Sequence, residues 1–409
     1  MDTLYLTREP VVNAQESLIG YDLHVHVADD PPGQGSPDLG SASLVATGFY
    51  GGGVETAIGS CFGFVNIDRD LLFAPAVESL PRDAVVLSLS AELEPEREVL
   101  LRVRALREKG YSFALSDYRG DPFRLEPLLD QMAVVQVDFS CASSAFLHSL
   151  QSEVRRPGVR LMASEVQTPE EFERARALGF DLFEGYHFLG RARSPQSSSS
   201  GNAAALLKML RLLKEDADSH AVVDELKRQP ALAVATLRAA NASSLSRSRQ
   251  SISSLPDALA MLGRNRLARL VQMLVFAGSS TADLGHNPLL QVVVTRAKLM
   301  EDLAERDPDA VAQEKRSAFV VGLFSLIESA LGLSLVDVLH ELQYGSPVKE
   351  ALLHREGRLG VLLELVEKLE LGDDAAVAGI LPELPSITGL DLIRIQFAAL
   401  AWLGESGVR

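Results

Sequence analysis

The sequence predicts an α/β fold, a TIM-type (β/α)8 barrel, followed by an all-α helical domain, and three observations predict it. Over about the first 190 residues, short apolar runs alternate with amphipathic stretches at spacings of about 20 to 30 residues. After a Ser-rich break the strand signal stops and helix follows helix. No Gly-rich phosphate loop follows the first strand, which disfavours a doubly wound open sheet, and the Gly51 to Gly53 triplet, lacking a following helix, reads as a turn.

The barrel half is most legible from Tyr111 to Asp138, where two runs rich in Val, Ala, Phe and Leu flank a loop with Pro122 and the amphipathic LEPLLDQM. This is a strand, helix, strand unit. Each run turns polar toward its C-terminal end, with Ser116 and Asp117 on the first and Gln136 and Asp138 on the second. In a parallel sheet those ends form one rim, the usual seat of chemistry.

In chain order, Leu18 to Val27 alternates strictly and places Asp22, His24 and His26 on one face. Two histidines at i and i+2 beside an aspartate are a candidate metal site, for zinc among others, set against a plain hydrogen-bonded strand face. A breaker-rich loop, DDPPGQGSPDLGSAS, follows. Thr56 to Ile67 reads as a strand ending at Asn66, Leu71 to Leu80 as a short helix, Ala84 to Leu89 as a strand carrying Ser88, and Glu94 to Lys109 as a helix. Val159 to Val166 repeats the strand signal. Thr168, Pro169 and Glu171 then open a helix as cap, first residue and reciprocal partner. FDLFEGYHF makes the last strand, with Glu184 at its end.

ARSPQSSSSGN, Ala192 to Asn202, marks the boundary: a barrel domain over 1–191, a linker over 192–202 and a helical domain over 203–409. Expected helices include Leu232 to Ala240, Ser254 to Leu262, Leu289 to Glu305, Ser317 to Leu331, Leu359 to Leu369 and Ile387 to Leu403, with Ser334 and Ser346 opening two more.

The totals exclude several classes. A formal charge of -16 repels phosphate backbones, so nucleic acid is not an expected partner. No apolar run approaches the roughly 20 residues of a membrane span, and the first residues lack signal-peptide order, so a cytoplasmic protein without membrane insertion is expected. Two cysteines, Cys61 and Cys141, make neither a disulfide framework nor a metal cluster.

The segments GYDLHVH, FGFVN, GYSFALSDY, VVQVD, MASEVQT and FEGYHF resemble, in the same order over residues 15 to 190, the landmark segments of EAL domains, the bacterial cyclic di-GMP phosphodiesterases. In the second half, LRAANASS, ALAMLGRNRLARLVQMLV, TRAKLMEDLA, FVVGLFSLIESALG and ALLHREGRLG resemble the HDOD domain, which shares the scaffold of HD phosphohydrolases without their metal ligands. The resemblance implies a two-metal site in active members. Carried over by position, the first Glu falls on Asp22 and the phosphate-holding Arg on His26; the Asn ligand is kept at Asn66; further ligands fall on Ser88, Ser116 and Asp117; the Lys falls on Gln136, with Asp138 retained; late positions fall on Ser164, Gln167 and Glu184.

Serine at three carboxylate positions leaves two adjacent dications poorly compensated, because neutral hydroxyls are weak ligands for Mg²⁺. The expectation is a chain that is not an enzyme, without a cofactor, signalling through a protein partner. Two alternatives stand beside it: a sensor that binds cyclic di-GMP without cutting it, and a metal hydrolase using Asp22, His24 and His26. Asp22, Asn66, Asp117 and Asp138 are the weak candidates for holding a metal.

Overall fold

A computed structural model describes residues 3–27, 53–154, 156–189, 199–215, 217–244, 254–277 and 284–405. Eight strands close a barrel: β1 (Leu4–Asn13), β2 (Leu18–Val27), β3 (Phe62–Ile67), β4 (Val85–Ser90), β5 (Ser112–Ser116), β6 (Val134–Asp138), β7 (Arg160–Ser164) and β8 (Leu182–Glu184). From β2 to β8 successive strands pair in parallel, but β1 runs antiparallel to both β2 and β8. The expected all-parallel sheet is therefore corrected at one strand. β1 and β2 are consecutive, and the short turn through Asn13 and Ser17 allows only an antiparallel hairpin.

The helices of this half are α1 (Gly53–Ile58), α2 (Arg69–Phe73), α3 (Arg97–Glu108), α4 (Pro122–Leu129), α5 (Ser144–Val154) and α6 (Pro169–Ala177). Each crossover helix turns its apolar stripe to the sheet, as with Val99, Val103 and Leu106 of α3. α6 starts as expected: Thr168 accepts from the Glu171 amide and Glu171 reaches back to the Thr168 amide. The expected strand from Thr56 is corrected. Those first residues belong to α1, so Gly53 does open a helix; Gly59, at φ 65°, ends it before β3 begins. The breaker-rich loop after Asp29 lies outside the described residues.

The second half contains α7 (Ser199–Lys214), α8 (Ser219–Lys227), α9 (Pro230–Ser244), α10 (Leu255–Ala277), α11 (Pro288–Arg306), α12 (Ala312–Phe324), α13 (Ile327–Leu331), α14 (Leu335–Glu341), α15 (Ser346–His354), α16 (Gly357–Leu371), α17 (Asp374–Ile380) and α18 (Gly389–Glu405). α7 begins inside the stretch expected as linker, so the last four linker residues are helical. α10 runs past the expected end at Leu262 across a kink at Gly263, φ 74°. The expected helix Ser317 to Leu331 is broken instead, where Ser325 Oγ donates back to the Gly322 carbonyl at 2.7 Å. Among the described residues no helix is long and apolar enough to cross a membrane.

A buried ion pair ties α11 to α16. Asp307 is fully buried, accepts from Arg358 Nη2 at 2.8 Å, and is held below the ordinary carboxylate range by that guanidinium. Asp307→Ala is expected to cost about 2–3 kcal/mol, because Arg358 then keeps only the more distant Asp309 carboxylate at 3.6 Å and the Glu383 carbonyl. A depressed folded-state pKa means this stability is present above about pH 4 and lost as pH falls below it. Urea unfolding at pH 7 and pH 3 checks both: the variant should differ from the parent much more at the higher pH.

The two halves meet along β1. Gln396 of α18 donates to the Leu6 carbonyl and accepts from the Leu6 amide, both at 2.8 Å, standing in for a neighbouring strand. Arg8 lies over the Tyr21 ring and bonds the Ala57 carbonyl at 2.9 Å and Thr295 Oγ1 at 3.0 Å.

Candidate functional site at the barrel mouth

Side chains alternate along each strand, so inward positions two residues apart form layers inside the barrel. The floor is apolar: Val11, Phe64, Val86, Ala114, Val134, Met162 and Leu182 pack together. One step toward the mouth every strand turns polar, giving Glu9, Asp22, Asn66, Ser88, Ser116, Gln136, Ser164 and Glu184, all lining one cavity of about 520 Å³. His24, Ser90, Asp117, Asp138 and Glu165 lie above them. From the helical half, Leu371 and Gly372 complete the wall.

Most of the residues singled out by sequence are therefore together, but their roles differ from expectation. Asp22 is 1% exposed and neither carboxylate oxygen accepts a hydrogen bond; the nearest nitrogen is His24 Nε2 at 3.5 Å. Ser88 Oγ and Gln136 Oε1 are also buried without hydrogen-bond partners. Gln136 Nε2 donates to Glu184 Oε2 at 2.7 Å. Asp138 Oδ1 accepts from the Ser140 amide and hydroxyl and from the Cys141 amide, so it serves its own loop. Burial raises its pKa, and those donors together outweigh burial and hold it low. Asp117 sits at φ 54°, with its carboxyl raised by burial. Gln167 is outside the cavity wall, bonded to the Glu165 side chain and to the Tyr186 amide.

His26 leaves the expected trio with Asp22 and His24. Its ring stacks on Tyr5 at 4.7 Å, and Nδ1 lies 3.4 Å from Asp374 of α17. Asp22 stays beside His24, and Glu9 and Glu184 join it, their ligand atoms and one of the imidazole nitrogens all lying within 4.8 Å of one another. Glu9 faces Asp22 directly across the β1–β2 ladder. Burial, with Glu165 and Asp22 adding to it against His24, pushes the Glu9 carboxyl up to about 7. Glu184 is raised well above its ordinary value by burial first, then by Asp22 and Glu9.

Glu9 was missed because β1 was. Its signal was present: LYLTREPVV alternates about Glu9, with Leu6 and Arg8 on the face opposite Thr7 and Glu9. Leu371 and Gly372 could not have been found, since only the docking of the helical half brings them to the mouth.

The pair of dications implied by the family resemblance does not fit this cavity. At the carried-over positions Ser88, Ser116 and Ser164 are hydroxyls, and Asp138 is engaged by its loop. Carboxylates are nevertheless plentiful, because Glu9, Glu165 and Glu184 line the mouth from other positions.

A profile of the HDOD domain matches residues 202–331. The chain is 28% identical over 380 residues, 91% of its length and 86% of the relative's, to the cyclic di-GMP phosphodiesterase CdgJ of Vibrio cholerae. It is 26% identical over 382 residues, 90% of each chain, to the YuxH protein of Bacillus subtilis. Solved structures similar to it include the PaMucR phosphodiesterase in complex with c-di-GMP, at TM-score 0.39, 19% identity, 46% of this chain and 96% of that one. Another is the EAL-like domain protein YdiV, at TM-score 0.33, 14% identity, 45% of this chain and 90% of that one. The similarity to CdgJ overturns the expectation that the chain is not an enzyme. That expectation counted carboxylates only at the carried-over positions and so omitted Glu9 and Glu165. An eight-stranded barrel thus stands in front of an HDOD domain, and the chain is similar to CdgJ across both.

Proposed function

We propose that this chain is a cyclic di-GMP phosphodiesterase, binding the dinucleotide at the barrel mouth and hydrolysing one of its phosphodiester bonds. The observation that carries the reading is the similarity to CdgJ along nine-tenths of the chain, coupled to a polar cavity at the C-terminal ends of the parallel strands. The chemistry sets a requirement. The ligand carries two phosphates, while among the described residues the wall holds carboxylates and no Lys or Arg. Anion and acidic wall repel unless a cation lies between them. Ser88, Ser116 and Gln136 then supply neutral donors to phosphate or sugar oxygens, and Glu9 and Glu184 line the wall where such a cation would sit. Transmission to a protein partner belongs to the same reading. Leu371 and Gly372 put the end of α16 at the mouth, so occupancy and helix position are in direct contact.

The test is incubation of the full chain with cyclic di-GMP and Mn²⁺ or Mg²⁺, with chromatographic separation of the linear dinucleotide. Linear product from the parent and its loss in Glu184→Gln are expected. Binding without product, or neither, overturns the proposal.

A further inference from the structure

We infer that Glu9, His24 and Glu184 hold a single divalent transition-metal ion, at the seam where β1 closes the barrel between β8 and β2. Three strands deliver the ligands: Glu9 from β1, His24 from β2 and Glu184 from β8. Their candidate ligand atoms lie within 4.8 Å of one another. Tetrahedral ligands about 2.0–2.2 Å from one ion lie about 3.3–3.6 Å apart, so side-chain adjustments of about an ångström close the set.

The independent sign of a missing cation is Asp22. It is 1% exposed, aimed into the same cavity, and neither of its oxygens accepts a hydrogen bond. A carboxylate buried without donors needs positive charge beside it. One supporting contact is already in place: Gln136 Nε2 donates to Glu184 Oε2 at 2.7 Å. Such outer contacts fix ligand orientation.

The donor set identifies the ion class. An imidazole nitrogen with carboxylate oxygens suits Mn²⁺ or Zn²⁺, whereas Mg²⁺ prefers an all-oxygen shell. The site shares Glu184 with the positions carried over from the family but takes Glu9 and His24 from outside them, the other carried-over positions lying mainly on β3 to β7. Binding of the ion stands on the geometry alone. Only its use against a phosphate rests on the proposed function.

The experiment is titration calorimetry of the full chain, freed of metal with EDTA, with MnCl₂ and separately ZnCl₂; electron paramagnetic resonance follows bound Mn²⁺. One ion per chain is expected. His24→Gln, Glu9→Gln and Glu184→Gln should each weaken it at least about tenfold. Asp117→Asn and Asp138→Asn should leave it within about threefold. Circular dichroism melts establish that each variant folds, and the three ligand variants serve as replicates should one fail. No bound ion, two ions per chain, or loss in Asp117→Asn with none in the folded ligand variants overturns the inference. An ion bound by the trio in a chain that yields no linear dinucleotide leaves the inference standing and removes the proposed function; linear dinucleotide formed by a chain that binds no ion at the trio does the reverse.

Discussion

Arg296→Ala is expected to lower stability by about 3–5 kcal/mol and the melting temperature of the helical half by about 10 °C. Arg296 is buried, donates through Nε to Glu370 Oε1 at 3.0 Å and through Nη1 to Ser325 Oγ at 2.9 Å, and also faces Glu367. Truncation leaves Glu370 without the guanidinium that offsets its charge, while Glu367 keeps Arg355 at 2.9 Å. The consequence reaches the mouth, because Glu370 precedes Leu371 and Gly372 and its carbonyl lies 3.5 Å from the Tyr186 hydroxyl. Arg296→Lys should recover only part of the loss, since an ammonium cannot reproduce the guanidinium fork. Thermal melts of the three proteins decide it; a melting temperature unchanged in Arg296→Ala would show that this network carries no stability.

The second large effect has the opposite sign. Glu9→Gln is expected to stabilise the metal-free chain by up to about 3 kcal/mol, from 1.36 kcal/mol per pKa unit. The parent must hold Glu9 ionised in a buried place opposite Asp22, and its pKa of about 7 measures that cost. A carboxyl raised in the folded state lends its stability below the unfolded value near 4.3 and loses it as pH rises through about 7. The advantage of glutamine should therefore be absent at pH 4 and complete by pH 8. Denaturant midpoints in EDTA at both values measure it; equal gaps would place the effect elsewhere. A site that weakens its own fold until it is filled is the expected trade between function and stability.

The contrast between these two charged residues shows what can be read from the chain. Strand signals in β2, β5 and β6 were visible in the sequence, and they placed Asp22 with His24 on one strand face and Ser116 and Gln136 on the rim before any coordinates. Caps such as Thr168 with Glu171, and helix stripes such as that of α3, were equally visible because their causes are local. The first strand was not recognised, for its Pro10 and charged residues mask the alternation, and with it went Glu9.

The sequence by itself determined an alternating strand-and-helix half, an all-helical half and a polar rim at the strand ends, since these follow from spacing along single elements. Only the tertiary structure decided which polar residues meet. Closure of the antiparallel β1 between β8 and β2 joins Glu9, His24 and Glu184 across 175 residues of chain. It also sends His26 to Tyr5 and Asp374 rather than to His24's partners. Neither pairing has a local cause: each arises from the register of strands and from a helical domain docked on the barrel's first strand, and a charge gains its partner only when the chain is closed.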